Sequence, residues 1–393
     1  MDAGFTDAAL NPDAEPKRIA FVASYAPSLT LFRGSLIRKI ISLGHSLACV
    51  APDFDQTTET QLVDWGAEPH RVPLSRTGLN PLADLASARA LLRLFRAWSP
   101  DVVMGYTPKP AIYASLAARK AGVPHIVPMI TGLGYAYLEG GGIKRTIVRA
   151  ITTRLYARAL AASHGVIFHN RDDAQLLSDL AIVPDDLAVT ITRGSGVDLD
   201  HYAHAPLPPL EGGVTFLMIA RLVRYKGVAE YCAAARILKE RGIKARCLLV
   251  GPPEAGPAGY PVSELERHAD AVSWLGPSDD VRRHLKDTHV YVLPSYGEGM
   301  PRTVLEALAT GRAIITTDTR GCRETVSEGV NGLLVPVGDA KALADAMERM
   351  ASQPEEIASM AAESRKLAEA EFDVAGVNAT MLEALDLDER ITA

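Results

Sequence analysis

The chain has 393 residues, 48% of them hydrophobic and 22% charged, and a formal net charge of -6. That length exceeds one typical core and predicts two domains, while the composition excludes long disorder. The acidic excess lies in the second half and neither half is basic, which argues against nucleic acid as the main partner.

Residues 1–16 read as a frayed leader outside the fold. From Lys17 onward, apolar runs at 18–24, 47–52, 101–106, 125–130 and 165–170 alternate with helix-period stretches at 31–44, 82–98 and 109–122. Such alternation predicts a parallel sheet covered on both faces. A first domain is therefore expected over 17–202. Residues 203–213, AHAPLPPLEGG, break the pattern and are expected to be the interdomain linker. Apolar runs resume at 214–220, 245–251, 272–276, 290–294, 313–317 and 332–337, giving a second domain over 214–372. The helix-like stretch at 373–393 either stays on that domain or crosses back. The expected fold class is α/β, with two Rossmann-like doubly wound domains that bind ligands at the carboxyl edges of their sheets, across a cleft.

Cys49, Cys232, Cys247 and Cys322 show no C-x-x-C or Cys/His ligand spacing. They read as reduced thiols in a cytoplasmic protein, and no metal site is expected. No apolar run is long enough to span a bilayer, and none has the form of a signal peptide.

The most informative stretch is SYGEGMPRTVLEALATGRAIITTDTRGCRETVSEGVNGLLVP, from Ser295 to Pro336. The apolar run VYVLP before it reads as a buried strand that empties through a glycine-containing loop into a helix. Backbone amides at such a helix start form an anion site, and Pro301 suits the first helical position. Glu298 on the loop and Glu306 within the helix place two carboxylates beside that site. A second signal is IARLVRYKG, where Arg221 and Lys226 flank the loop after the first strand of the second half. Arginine grips phosphate oxygens in a fork and lysine acts as a mobile point charge. A phosphate bordered by diol-binding acids describes a nucleotide-sugar. Taken singly, each of these residues also has a plain surface reading, Glu306 included.

The second half resembles family 4 of the retaining glycosyltransferases, which have the two-domain GT-B fold. The resemblance covers most of 17–372. It implies that Arg221 and Lys226 hold a donor diphosphate, that Glu306 bonds the ribose hydroxyls and that Glu298 bonds the transferred sugar. It also implies that the backbone at Gly299, Met300 and Pro301 lines the sugar and phosphate, with Gly34 of LFRGSL approaching the phosphate from the first domain. Trp274 marks the segment expected beside the base. No cofactor or metal is implied, the nucleotide-sugar being a co-substrate.

GYTPKPAIYASLAARKAGVP, ITGLGYAY and GSGVDLDHY resemble a subgroup that adds sugars such as N-acetylgalactosamine to polyprenyl-diphosphate-linked glycans. Many relatives carry a histidine where this chain reads YTPKP, which offers Tyr106, Thr107 and Lys109 instead; the expected acceptor-side residues are Thr107, Lys109 and Thr131. Lys109 reads equally well as a surface lysine. Asp53 and Asp55 are expected to be a loop pair, and Asn170 a helix cap. Residues 143–160 carry Lys144, Arg145, Arg149, Arg154 and Arg158 with no acid, among Ile143, Ile147, Ile151 and other apolar residues. That segment either lies on an anionic membrane or simply covers the sheet.

The expected function is transfer of a hexose or N-acetylhexosamine, with retention, from a UDP-linked donor to a lipid-linked glycan acceptor. It is placed in the cytoplasm, with peripheral contact to the inner face of the plasma membrane. The alternatives are a transferase or epimerase acting on a soluble sugar, and a non-catalytic sugar-nucleotide-binding scaffold.

Overall fold

The computed structural model describes residues 15–75, 80–137 and 142–387. The expected leader lies almost wholly outside them. The chain divides into two compact units, one holding the chain up to Ser195 together with the segment from Val377 onward, the other Gly196–Gly376.

In the first unit, β1 (Arg18–Val22), α1 (Pro27–Ser42), β2 (Ser46–Ala51), α2 (Gln56–Asp64), β3 (Glu68–Arg71), α3 (Pro81–Trp98) and β4 (Val102–Gly105) follow in turn. Then come α4 (Pro108–Ala121), β5 (His125–Ile126), β6 (Met129–Ile130), α5 (Ile143–Leu160), β7 (Gly165–Phe168), α6 (Arg171–Asp179) and β8 (Ala188–Ile191). The strands order as β3-β2-β1-β4-β5 and β6-β7-β8, all parallel. A parallel bridge from Tyr106 to Met129 joins the two sets. The apolar run at 125–130 is split into two short strands about Pro128, which has no N–H to give to a ladder. Alternate β1 residues face opposite cores, Ile19 and Phe21 meeting α1 and Ala20 and Val22 meeting α3 and α4.

The second unit runs β9 (Val214–Ile219), α7 (Val228–Glu240), β10 (Ala245–Val250), α8 (Val262–Glu266), β11 (Val272–Trp274), α9 (Arg282–Lys286) and β12 (Val290–Leu293). It continues with α10 (Arg302–Thr310), β13 (Ala313–Thr317), β14 (Gly332–Val335), α11 (Ala340–Ser352) and α12 (Pro354–Leu367). Its parallel sheet has the order β11-β10-β9-β12-β13-β14. In both units the strand order reverses beside the first strand, between β1 and β4 and between β9 and β12. Crevices at the carboxyl ends of such strand pairs are where doubly wound sheets bind ligands.

Two boundaries differ from the expectation. The Pro/Gly stretch 203–213 lies within the second unit, fastened to it at three points. Ala205 N donates to Thr310 O (3.1 Å), Arg312 Nη2 to Pro206 O (3.2 Å) and His289 Nε2 to Pro208 O (3.0 Å). The chain instead changes units at Ser195–Gly196 and again at Gly376–Val377. The last helix, α13 (Val374–Ala384), crosses back, and its stripe Val377, Met381 and Leu382, with Leu385 just beyond its end, completes the core beneath α1. The edge strands β3 and β8 were not expected; EPHR carries no apolar signal, while AVTI is apolar but only four residues long.

Candidate functional site

The β9/β12 switch point carries the densest chemistry. After β9 the chain makes a short helical turn at Arg224–Lys226 and enters α7 through Gly227 at φ 78°. A Cβ at Gly227 would sit 2.0 Å from Pro294 O, so only glycine lets this loop close on the end of β12. Tyr296 N then donates to Tyr225 O (2.8 Å), tying the two loops together.

That closure brings Lys226 Nζ to 2.6 Å from Glu298 Oε1, in a pair whose side chains are 20% and 14% exposed. The Ser295 hydroxyl lies 2.6 Å from the same oxygen. Arg221, at the end of β9, donates to Glu254 Oε2 (2.9 Å) and to the Tyr225 hydroxyl (3.2 Å). Tyr296 donates its hydroxyl to Glu230 Oε1 (2.7 Å), and burial together with that carboxylate pushes the phenol up to about 12.

Gly299 and Met300 follow Glu298, and Met300 packs against the core of the second unit. Pro301 stands as the helix cap rather than the first helical residue, and no side chain caps the opening amides of α10. Glu306, one turn further on, is 5% exposed and accepts from Arg302 Nε at 3.0 Å. Burial raises its pKa, while Arg302 and a hydrogen bond from Tyr202 pull it back. Trp274, at the end of β11, spends its indole N–H on Gly251 O (3.1 Å).

Some residues at this site carried no readable signal. Gly321 has φ 72°, and a Cβ there would meet Glu298 O at 2.4 Å and Gly299 O at 2.6 Å. Arg320 O accepts from Glu298 N (3.1 Å), so the 320–321 turn backs the acid loop from behind. Ser295, Tyr202 and Arg302 were missed because each acts by contact with a residue whose own role had to be known first.

The first unit distributes its expected site residues differently. Gly34 is buried in α1, where a Cβ would lie 2.8 Å from the Trp65 ring, so its smallness already serves α1 packing. Lys109 Nζ pairs with Asp84 Oδ1 at 2.6 Å, the side chains being 13% and 9% exposed, and Tyr113 donates to the other carboxylate oxygen at 3.0 Å. Thr107 stands just before α4 at φ 69°, rare for a β-branched residue, with its hydroxyl 3.0 Å from that of Ser24. Thr131 follows β6 and is partly exposed. Asp53 accepts from Ala26 N, Asp55 caps α2 and Asn170 caps α6. Arg33 is buried against His169, donating from Nη2 to Nε2 at 3.1 Å, and burial holds that imidazole well below its usual pKa.

On α5, Tyr156, Ala159 and Leu160 enter a core with α4 and α6, while Ile143, Ile147 and Ile151 are 82%, 54% and 39% exposed. The buried residues and the exposed isoleucines thus lie on opposite faces of the helix. All four cysteines are free and buried. Among the described residues no group of three or more His, Cys, Asp or Glu could hold a metal ion.

Comparison with known proteins is consistent across both units. Residues 32–194 match the family model described as glycosyl transferase 4-like domain, and residues 213–353 match glycosyl transferases group 1. N,N'-diacetylbacillosaminyl-diphospho-undecaprenol alpha-1,3-N-acetylgalactosaminyltransferase of Campylobacter jejuni is 29% identical over 84% of this chain and 88% of its own. UDP-Gal:alpha-D-GlcNAc-diphosphoundecaprenol alpha-1,3-galactosyltransferase of Escherichia coli is 26% identical over 74% of this chain and 76% of its own. Among solved structures, HepE of Anabaena in complex with UDP and glucose aligns with TM-score 0.74 at 17% identity, covering 94% of this chain and 99% of its own. Sucrose-phosphate synthase from Thermosynechococcus elongatus aligns at TM-score 0.77 with 17% identity, covering 93% and 98%. These structural likenesses identify the fold as GT-B.

Proposed function

The chain belongs to the glycosyltransferases, and on that premise we propose that it moves an N-acetylhexosamine or hexose, with retention, from a UDP-linked donor to a polyprenyl-diphosphate-linked glycan. The observation that carries the donor half is the Lys226–Glu298–Ser295 cluster beside the uncapped start of α10. Breaking the anomeric bond places negative charge on the departing diphosphate and positive charge on the sugar ring. Arg221, Lys226 and the α10 amides stabilise the leaving group more as the bond lengthens, which is the differential binding that accelerates a reaction. Gly299, Met300 and Pro301 line the sugar and phosphate in this reading, and Glu306 takes the ribose hydroxyls. The base sits by the Trp274 segment. The acceptor hydroxyl attacks on the face the diphosphate leaves, without a covalent enzyme intermediate and without a metal.

The acceptor half rests on the two curated relatives, whose names specify diphospho-undecaprenol substrates. Thr107 and Thr131 remain the proposed acceptor-side residues, whereas Gly34, expected to approach the phosphate, lies inside α1 against Trp65 and is not kept in that role. Lys109 is better read as a structural partner of Asp84. The test is UDP release from UDP-N-acetylgalactosamine and UDP-galactose, with and without undecaprenyl-diphosphate-linked saccharide. Acceptor-dependent release that Lys226→Ala and Glu298→Ala each lower by about a hundredfold or more is the expected result. Near-wild-type rates in both variants would remove the assignment.

We also propose that α5 meets the inner face of an anionic membrane. Its exposed isoleucines form one row, and Arg154 and Arg158 on the same side supply charge for headgroups, whereas Arg149 lies over the Tyr137 ring on the other side. No described helix is long and apolar enough to cross a membrane. Cosedimentation with phosphatidylglycerol vesicles should be lost in Ile147→Glu and reversed by high salt. Equal sedimentation of both proteins would refute the contact.

A further inference from the structure

The two oxygens of Glu298 have different surroundings. Oε1 receives both the Lys226 ammonium and the Ser295 hydroxyl, each at 2.6 Å. Oε2 makes no hydrogen bond with another described residue, and the side chain is 14% exposed, so Oε2 is the acceptor left for a ligand.

Ser295 is fully buried at the end of β12. Its one hydroxyl proton has two acceptors in reach, Glu298 Oε1 at 2.6 Å and Tyr225 O at 3.1 Å. The carboxylate is nearer and charged, and Tyr225 O already accepts from Tyr296 N. A charge-assisted bond is about twice as strong as a neutral one, so the proton belongs to Glu298. The serine is itself held, its carbonyl accepting from the Thr317 hydroxyl behind it.

We propose that Ser295 is a positioning residue for sugar transfer, fixing Glu298 through Oε1 so that Oε2 alone meets the donor sugar. The need for it follows from Lys226, which serves two anions. When a donor diphosphate draws the ammonium toward itself, the pull of Lys226 on Oε1 weakens. The buried hydroxyl then becomes the group that keeps the carboxylate in place. Orientation held by such a supporting contact affects the reaction step more than nucleotide binding.

This rests on the donor reading above, and the experiment separates the two. Wild type, Ser295→Ala, Glu298→Ala and the double variant are compared for UDP affinity by calorimetry, for melting temperature, and for kcat and KM with UDP-N-acetylgalactosamine. Ser295→Ala should keep its UDP affinity within twofold and lose about tenfold in kcat with little change in donor KM. In the Glu298→Ala background the serine substitution should cost nothing further, because its effect passes through that carboxylate. Turnover of Ser295→Ala within twofold of wild type would overturn the proposal. So would an equal fractional loss in both backgrounds, which marks a general structural role. Failure of the wild type to bind UDP would overturn the donor reading itself, and this proposal with it.

Discussion

Gly321→Ala tests whether the acid loop is held by close backbone approach. The added Cβ would begin 2.4 Å from Glu298 O and 2.6 Å from Gly299 O. An ordinary carbon–oxygen contact is near ~3.3 Å, so the loop must retreat by roughly 0.7–0.9 Å. A misplacement of about 1 Å at a reacting centre costs on the order of a hundredfold in rate. The residue also pays about 1–2 kcal/mol for a non-glycine side chain in the left-handed region. Gly329→Ala separates the two effects, because Gly329 has φ 73° and nothing within 4 Å of its ideal Cβ. Both variants should melt lower, by about 2–8 °C at 1–2 kcal/mol for a domain of this size. Only Gly321→Ala should lose turnover, by roughly tenfold to a hundredfold, measured as UDP release at saturating donor. Equal turnover in the two variants would refute the idea that Gly321 positions Glu298.

Lys109→Ala should lower the melting temperature through the loss of about 3 kcal/mol, since it strands Asp84 beside the Tyr113 hydroxyl. Acceptor KM should stay unchanged, and a raised KM at unaltered stability would restore the acceptor role expected from sequence. For Glu306, burial lifts the folded-state pKa above the ordinary 4.5. The folded protein therefore holds this proton more tightly than the unfolded chain. That contribution to stability is present at low pH and is lost as pH rises through the raised pKa. Glu306→Gln should remove this slope from urea titrations, and wild-type UDP affinity should improve over the same interval as the carboxylate forms. A pH-independent difference between the two proteins would contradict the role given to Glu306.

Arg221 and Glu298, which are proposed to meet the donor, could be singled out in the sequence because each lies within a few positions of a strand end that its own apolar run announces. VTFLMIA leads directly to Arg221, and VYVLP to Glu298. Parallel strands of this kind leave their polar loops at one edge, so order along the chain almost suffices to gather them. Lys109 and Asp84 lie 25 residues apart on α4 and α3, and no local pattern pairs them. The 203–213 segment looked like a linker because Pro and Gly deter regular structure. Regularity and attachment are different properties, however, and buried Arg312 and His289 hold that segment to the second unit through its carbonyls.

By itself, the sequence determined the α/β class, two wound sheets, and which loops hold the cations and the acids. These follow from periodicity and from residue types close together in the chain. Only the tertiary structure decided that α13 returns to the first unit, that Gly321 backs the Glu298 loop and that Gly34 packs on Trp65. It also decided that Ser295 and Lys226 share one oxygen of Glu298. The physical reason is range. Hydrogen bonds and van der Waals contacts act over a few ångströms, and long-range chain pairs come within that distance only once both sheets have formed.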